Sequence, residues 1–280
     1  MALITGAGRG LGRSHALMLA DRGAAVVVND LGTALDGTGN DTSVAGQLAS
    51  EIQARGGMAI ADTNDVSTFD GGAAMVGRAV RELGRLDIVV NNAGILRDKA
   101  FANMTPEMID AVLAVHLRGA FCVLKAAWPV MREQGYGRVV NTSSDSGIFG
   151  NFGQANYGAA KTGLIGLTRV LAIEGQRAGI KVNAIGPVGL TRMTEDLMTP
   201  ERAAIARNEQ VSAVVTYLAS EECPVSGEII SVRRGRVARI FIGITKGYVN
   251  PDLTAEDVRD NWPAIWDLDG YGVPDTGARG

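Results

Sequence analysis

Cysteine and histidine are scarce in this chain of 280 residues, which has two of each: Cys122, Cys223, His15 and His116. The cysteines lie far apart and in no CxxC or Cys/His spacing. Neither a disulfide framework nor a metal site is therefore expected, and reduced thiols in a cytoplasmic protein fit best. An excess of positive charge is also missing. Lysine and arginine number 27 against 30 aspartates and glutamates, a formal charge of −3, which argues against a surface that tracks nucleic-acid phosphates and points to small-molecule partners. No apolar run is long enough for a bilayer span, and the first residues enter a strand-like segment instead of a basic signal region. A soluble, unexported protein is expected, and residues 276–280 carry no recognised peroxisomal or retention signal. No linker-like break divides the chain, so one large domain accounts for most of the length.

What is present is alternation. Short β-branched runs recur at residues 2–5, 25–29, 58–61, 86–90, 138–141, 181–184 and 228–232, separated by helix-length segments at 11–22, 44–55, 69–83, 106–134, 155–178 and 200–220. This predicts a single Rossmann-like, doubly wound α/β domain over residues 1–233, its seven-stranded parallel sheet joined by right-handed crossovers. The first strand has almost no lead-in, so a true start upstream of Met1 is expected. Residues 234–280 form a C-terminal extension too small for its own core, expected to pack on the domain or on a neighbouring subunit. Its one predicted helix, over 254–266, opens with a capping box, Thr254 and Asp257.

Thr5-Gly6-Ala7-Gly8-Arg9-Gly10-Leu11-Gly12 follows the first strand and opens the first helix. There a dinucleotide pyrophosphate would meet bare backbone N–H groups and a positive helix end. The spacing is T-G-x-x-x-G-x-G, with Gly6, Arg9, Gly10, Leu11 and Gly12 as candidate contacts. Asp30 ends the second strand, where its carboxylate would accept from both hydroxyls of an adenosine ribose and repel a 2′-phosphate, selecting NAD over NADP. Arg9 is the counterweight: it could reach such a phosphate, or be a solvated loop charge. Asp65 and Val66, after the third strand, are placed at the adenine edge, though Asp65 could equally cap a helix. Asn92, Ala93 and Gly94, after the fourth, are placed on the nicotinamide side.

Tyr157 and Lys161 stand four apart at the start of a predicted helix, so their side chains share a face. A phenol that takes an alcohol proton at neutral pH needs a value below its usual one, and an adjacent ammonium would supply the stabilising charge. Ser144 closes the fifth strand, at the sheet edge where ligands bind, and could donate to a carbonyl oxygen as charge develops on it. Ser143 and Ser146 compete for that role or serve the turn. A Ser-His-Asp hydrolase is disfavoured, because no G-x-S-x-G elbow exists and histidine is confined to His15 and His116.

In this order, Thr5–Gly12, Asn91–Gly94, Ser144 and Tyr157-x-x-x-Lys161 resemble the short-chain dehydrogenase/reductase family, over about residues 1–232. The resemblance implies that Tyr157 is the general acid/base, that Ser144 orients the substrate, and that Lys161 serves both the tyrosine and the cofactor. It also implies a cofactor contact at Pro187, although the family's usual Pro-Gly reads Pro187-Val188-Gly189 here. Dimers or tetramers through the segments 106–134 and 155–178 are implied as well. Where most of the family has an asparagine that holds a relay water, this chain has His116, which is not assigned a catalytic role.

A narrower resemblance, in 28–32, 91–98, 116–119 and 150–157, is to the (3R)-hydroxyacyl-CoA dehydrogenase part of the type 2 peroxisomal multifunctional enzymes, also named as 17β-hydroxysteroid dehydrogenases. The implied reaction is hydride transfer between NAD and a hydroxyacyl-CoA. A steroid alcohol or an acyl-carrier-protein thioester is the enzymatic alternative, and a cofactor-binding regulator or scaffold the non-enzymatic one. Met193, Leu197 and Met198 are candidates for an apolar lid, and Arg97 and Lys99 for contacts to CoA phosphates, with core packing and ordinary surface charge as the plainer readings of each group.

Overall fold

The computed structural model describes residues 1–189, 193 and 199–274. In chain order the elements are β1 (Ala2–Thr5), α1 (Gly10–Ala20), β2 (Val26–Asn29), α2 (Ser43–Ala54), β3 (Ala59–Asp62), α3 (Phe69–Leu83), β4 (Ile88–Asn91), α4 (Pro106–Leu113), α5 (Gly119–Gln134), β5 (Gly137–Thr142) and α6 (Asp145–Phe149). They continue with α7 (Ala155–Gly175), β6 (Ile180–Val188), α8 (Pro200–Ile205), α9 (Asn208–Leu218), β7 (Ile229–Arg233), β8 (Arg236–Ile240), α10 (Ala255–Asp260) and α11 (Trp262–Trp266). Two compact units result, Met1–Arg239 and Ile240–Gly280.

The first unit is the expected doubly wound α/β fold. Its sheet runs in the order β3-β2-β1-β4-β5-β6-β7-β8, and the pairings from β3 through β7 are parallel. Alternate residues of the central strands feed two cores. Ile4, Val26, Val28, Val90, Val140 and Ile185 pack with residues of α1, α2 and α9 on one face. Leu3, Val27, Val89, Val139 and Val182 pack with residues of α3 and α5 on the other. Burial on both faces is why these strands read as unbroken β-branched runs.

Three features differ from expectation. The sheet has an eighth strand, because Arg234 and Gly235 take positive φ of 48° and 82° and form a two-residue turn of the kind that folds a strand back as a hairpin. The segment 106–134 is not one helix: Ala114–Arg118 adopts π-helical geometry between α4 and α5. The tail helix is two short helices, broken at Asn261 ahead of Pro263.

In the second unit the capping box forms as the sequence suggests, Thr254 and Asp257 each accepting from the other's backbone N–H. Phe241 stacks on Tyr271 at 5.7 Å, Trp262 on Trp266 at 5.4 Å, and Ile244 bridges Gly272. None of its described residues is buried.

Candidate active site

The strand order reverses between β1 and β4, and a crevice opens beyond their carboxyl ends, the place where open α/β sheets bind ligands. Here it is a cleft of about 470 Å³. Among the cofactor candidates, Gly6, Arg9, Gly10, Leu11 and Asp30 line one end of it, and Asp65, Val66, Asn92, Ala93, Gly94 and Pro187 line its floor and walls. Gly12 does not line it. It lies behind the loop, where a Cβ would come within 2.2 Å of the Gly6 carbonyl oxygen and 2.6 Å of Asn92 Nδ2.

The glycine loop takes its shape from Gly6 and Gly10, at φ +60° and +53°, a left-handed conformation that costs glycine little. Thr5 Oγ1 accepts from the N–H groups of Asn92 and Ala93, and Asn92 Nδ2 donates back to the carbonyls of Thr5 and Gly6. The β4 turn and the glycine loop are therefore tied together by four hydrogen bonds. No side chain caps the N-terminus of α1, where Arg9 is the cap residue, so its first N–H groups are available to an anion. Asp30 accepts from Gly8 N at 2.8 Å and Gly32 N at 2.7 Å, one bond per oxygen, which leaves each oxygen a free lone pair. A bare helix N-terminus beside a fixed carboxylate fits the pyrophosphate and ribose of a nicotinamide dinucleotide.

The sequence alone did not reveal a strap over this end. From β2 the chain leaves through Gly32, whose added Cβ would meet Asp41 O at 2.0 Å, so the neck of the loop is pinched. Its middle is tied across the cleft: Arg9 donates to Thr33 O, Leu96 N to Leu35 O, and Arg97 Nε to Asp36 O. Thr33, Leu35 and Gly37 line the cleft as a result. The available signal was a glycine- and aspartate-rich connection longer than most loops of a compact domain. Asp65 accepts from Ser67 N, while Thr68 is the residue that caps α3. Arg97, considered for CoA phosphates, holds the strap.

At the other end stand Ser144, Tyr157 and Lys161, all lining the cleft. A buried polar chain aligns α7 with the strands: Asn91 Nδ2 donates to Asn141, Asn141 Nδ2 to Thr168 Oγ1, and Thr168 Oγ1 to Leu164 O. Lys161 Nζ donates to Thr142 O at 2.6 Å, and Ser143 Oγ to Lys161 O at 2.8 Å, so Ser143 is committed to holding α7. Ser144 caps α6 by accepting from Ser146 N, while Asp145 is ion-paired with Arg233 at the end of β7. The Ser144 hydroxyl lies near enough to the Tyr157 phenol to lower its pKa.

The electrostatics correct one expectation. Burial is the largest influence on Tyr157 and raises its pKa, opposed by the nearby Ser144 hydroxyl and seconded by the charge of Asp98. Burial also brings Lys161 down to about 7. A deeply buried ammonium is itself unstable, so the protein's own groups do not make the phenol acidic. They keep it protonated at neutral pH.

His116 sits in the π-helical turn, a feature common at functional sites. Its Nε2 lies 3.0 Å from Ile95 N and 2.8 Å from Ile95 O, and its ring meets Tyr157 edge-on at 5.1 Å. Nδ1 is buried with no partner among the described residues. Burial, then the charge of Lys161, hold His116 well below 6.5, so the imidazole is neutral. Met193 also lines the cleft; Leu197 and Met198, the other lid candidates, lie outside the described residues. The sequence reading also passed over Asn151 and Gln154, which line the cleft ahead of Tyr157.

The family model described as short chain dehydrogenase matches residues 1–202. This chain belongs to the short-chain dehydrogenase family. A short-chain type dehydrogenase/reductase of Mycobacterium tuberculosis is 48% identical over 96% of this chain and 94% of its own. A hydroxyacyl-CoA dehydrogenase of the same organism is 40% identical over 83% of this chain and 76% of its own. The solved structure of full-length peroxisomal multifunctional enzyme type 2 from Drosophila melanogaster superposes with a TM-score of 0.82 at 37% identity. It covers 98% of this chain, which spans 46% of that longer one. Family membership makes this chain an oxidoreductase that acts on CH–OH groups with a nicotinamide cofactor. No helix among the described residues is long and apolar enough to cross a membrane.

Proposed function

We propose that this chain is an NAD-dependent dehydrogenase that interconverts a (3R)-hydroxyacyl-CoA and the 3-oxoacyl-CoA. The observation that carries the reading is one cleft with a ribose-matching carboxylate, Asp30, at one end and Ser144, Tyr157 and Lys161 gathered at the other. The likeness to a hydroxyacyl-CoA dehydrogenase and to a multifunctional peroxisomal enzyme supports the acyl thioester.

When bound, the nicotinamide supplies the hydride acceptor or donor and, in its oxidised form, a positive charge. The remaining work falls to the chain. Asp30 would accept from the ribose hydroxyls and oppose a 2′-phosphate, and Arg9, which lines the same end, donates one N–H to Thr33 O on the strap. In reduction, Ser144 and Tyr157 donate to the ketone oxygen, and Tyr157 passes its proton to that oxygen as it becomes an alcohol. A phenol held above its ordinary value is protonated at neutral pH and suits this direction. In oxidation Tyr157 would have to give up its own proton to solvent before it could take the hydroxyl proton, and the positive charge that the oxidised nicotinamide would bring, together with the nearby Ser144 hydroxyl, would favour that phenolate. Lys161, anchored on Thr142 O, completes the wall beside the phenol and offers N–H groups to the cofactor ribose.

Exposed Phe121, Val170 and Ile173 on α5 and α7 support assembly into a homodimer or homotetramer through those helices, and we place the enzyme in the cytoplasm. The test is NADH consumption with a panel of 3-oxoacyl-CoA, 3-oxoacyl-carrier-protein and steroid ketones, beside fluorescence titrations of NADH and NADPH. Fastest turnover of the CoA thioester and tighter binding of NADH are expected. Preference for a steroid ketone, or tighter NADPH binding, would overturn the substrate or the cofactor assignment respectively.

A further inference from the structure

Asp145 follows the reacting serine directly, and the hydride chemistry leaves it unused. It opens α6, a helix of five residues that Ser144 caps. Both of its carboxylate oxygens are buried, and neither has a hydrogen-bond partner among the described residues. The charge is met instead by one cation, Arg233, at the end of β7. β7 lies two strands from β5 in the sheet, with Arg233 in register with Val188 at the carboxyl end of β6, so this ion pair spans the edge on which the cleft opens. On its other side α6 is seated on α7. A Cβ at Gly147 would come within 2.9 Å of Lys161 Cβ and 3.0 Å of the Gly158 carbonyl oxygen, and Thr162 Oγ1 donates to Gly147 O. The turn that brings Ser146 N within 3.2 Å of Ser144 Oγ is therefore clamped from two directions.

That clamp decides what the serine hydroxyl can do. A hydroxyl has one hydrogen to give. With Ser146 N–H donating to Ser144 Oγ, the hydrogen of Ser144 stays free for the ketone oxygen. A buried carboxylate deprived of its cation captures the nearest donors, because a bare charge away from water is costly. Along the chain those donors are the hydroxyls of Ser144 and Ser146, which both line the cleft. Resting on the role given to Ser144 above, we infer that Arg233 is a positioning residue for the reaction: its ion pair with Asp145 keeps that carboxylate turned from the Ser144 hydroxyl, which is left to donate to the substrate oxygen. Arg233 itself lies off the cleft lining, so its influence passes through Asp145 and Ser144.

The experiment follows NADH-dependent reduction of 3-oxobutanoyl-CoA by the wild type, Arg233→Met, Arg233→Lys and Arg233→Met/Asp145→Asn, each with Ser144 present and in a Ser144→Ala background. In Arg233→Met, kcat and kcat/KM are expected to fall together roughly tenfold, the value of about one hydrogen bond made in the transition state, while the Kd for NADH stays unchanged in fluorescence titration. Arg233→Lys, which keeps a cation, and the double variant, which removes the stranded charge, are each expected to regain most of the loss. In Ser144→Ala the methionine substitution should cost nothing further, because no hydroxyl is left to protect. A merely structural ion pair would lower turnover equally in both backgrounds and gain nothing from Asp145→Asn. Either of those results overturns the inference while leaving the dehydrogenase reading intact, as does full activity in Arg233→Met. Arg233→Gln replaces the methionine variant if that fails to fold. Absence of turnover with every ketone in the wild type refutes the dehydrogenase reading itself, and the inference falls with it.

Discussion

Gly94 offers a sharp test of how the π-helical turn supports the reacting tyrosine. A Cβ at position 94 would lie 2.3 Å from His116 Cε1, 3.0 Å from Nδ1 and 3.1 Å from Nε2. Ordinary contact begins at 3.4 Å, so in Gly94→Ala the ring must retreat by about 1.1 Å. It has little freedom to do so. Its Nε2 is held against the backbone of Ile95, and its ring meets Tyr157 at 5.1 Å. Forcing extra volume into such a site costs about 1–3 kcal/mol, and a displacement near 1 Å at a reacting group lowers turnover on the order of 100-fold. His116→Ala removes the obstacle. In Gly94→Ala/His116→Ala the new methyl has room, so the stability losses of the two single variants should not add, with a favourable coupling of about 1 kcal/mol or more. Urea unfolding of the four proteins measures this cycle, and NADH consumption follows the activity. A neutral Gly94→Ala, or strictly additive losses, would refute the claim that Gly94 exists to admit the imidazole.

Lys161 makes stability depend on pH in a definite sense. Its value near 7 in the fold against about 10.4 in the unfolded chain means that between these limits the unfolded state binds a proton the native state lacks. Stability from this site is therefore fully present above the unfolded value and is lost as pH falls toward 7, by at most about 5 kcal/mol. Lys161→Met should abolish that slope, so its stability relative to wild type should be highest near pH 7 and fall toward pH 10 in denaturant titrations; a pH-independent difference would contradict the burial argument. The strap is tested by Gly32→Ala, which combines φ +75° with a Cβ 2.0 Å from Asp41 O. Release of NADH followed by stopped-flow fluorescence should accelerate roughly tenfold, about 1.4 kcal/mol of retention. An unchanged rate would mean the strap plays no part in holding the dinucleotide.

Much of the scaffold was legible because its signals are local. The parallel strands announce themselves as β-branched runs buried on both faces, and the glycine loop by turn chemistry that few other residues allow. The spacing of Tyr157 and Lys161 fixes their shared helix face once α7 is assigned. What the sequence hid depends on tertiary packing. β8, Arg-Val-Ala-Arg-Ile, is largely exposed and carries no core pattern, so only its Arg234-Gly235 turn could have marked it. The π-helical turn at His116 is invisible because the apolar periodicity of α4 and α5 runs on through it. The protonated state of Tyr157 and the low value of Lys161 follow from burial, which spacing does not report, and the hold of Asp98 on Gln154 joins residues 56 positions apart.

The most direct measurement on the central claim uses Tyr157→Phe, which removes one oxygen and keeps the ring beside His116. The variant is expected to bind NADH with wild-type affinity in fluorescence titration, while its reduction of 3-oxoacyl-CoA falls by at least about 100-fold, the contribution of a positioned proton donor. Turnover close to wild type, with cofactor binding intact, would show that the proton reaches the substrate oxygen by another route.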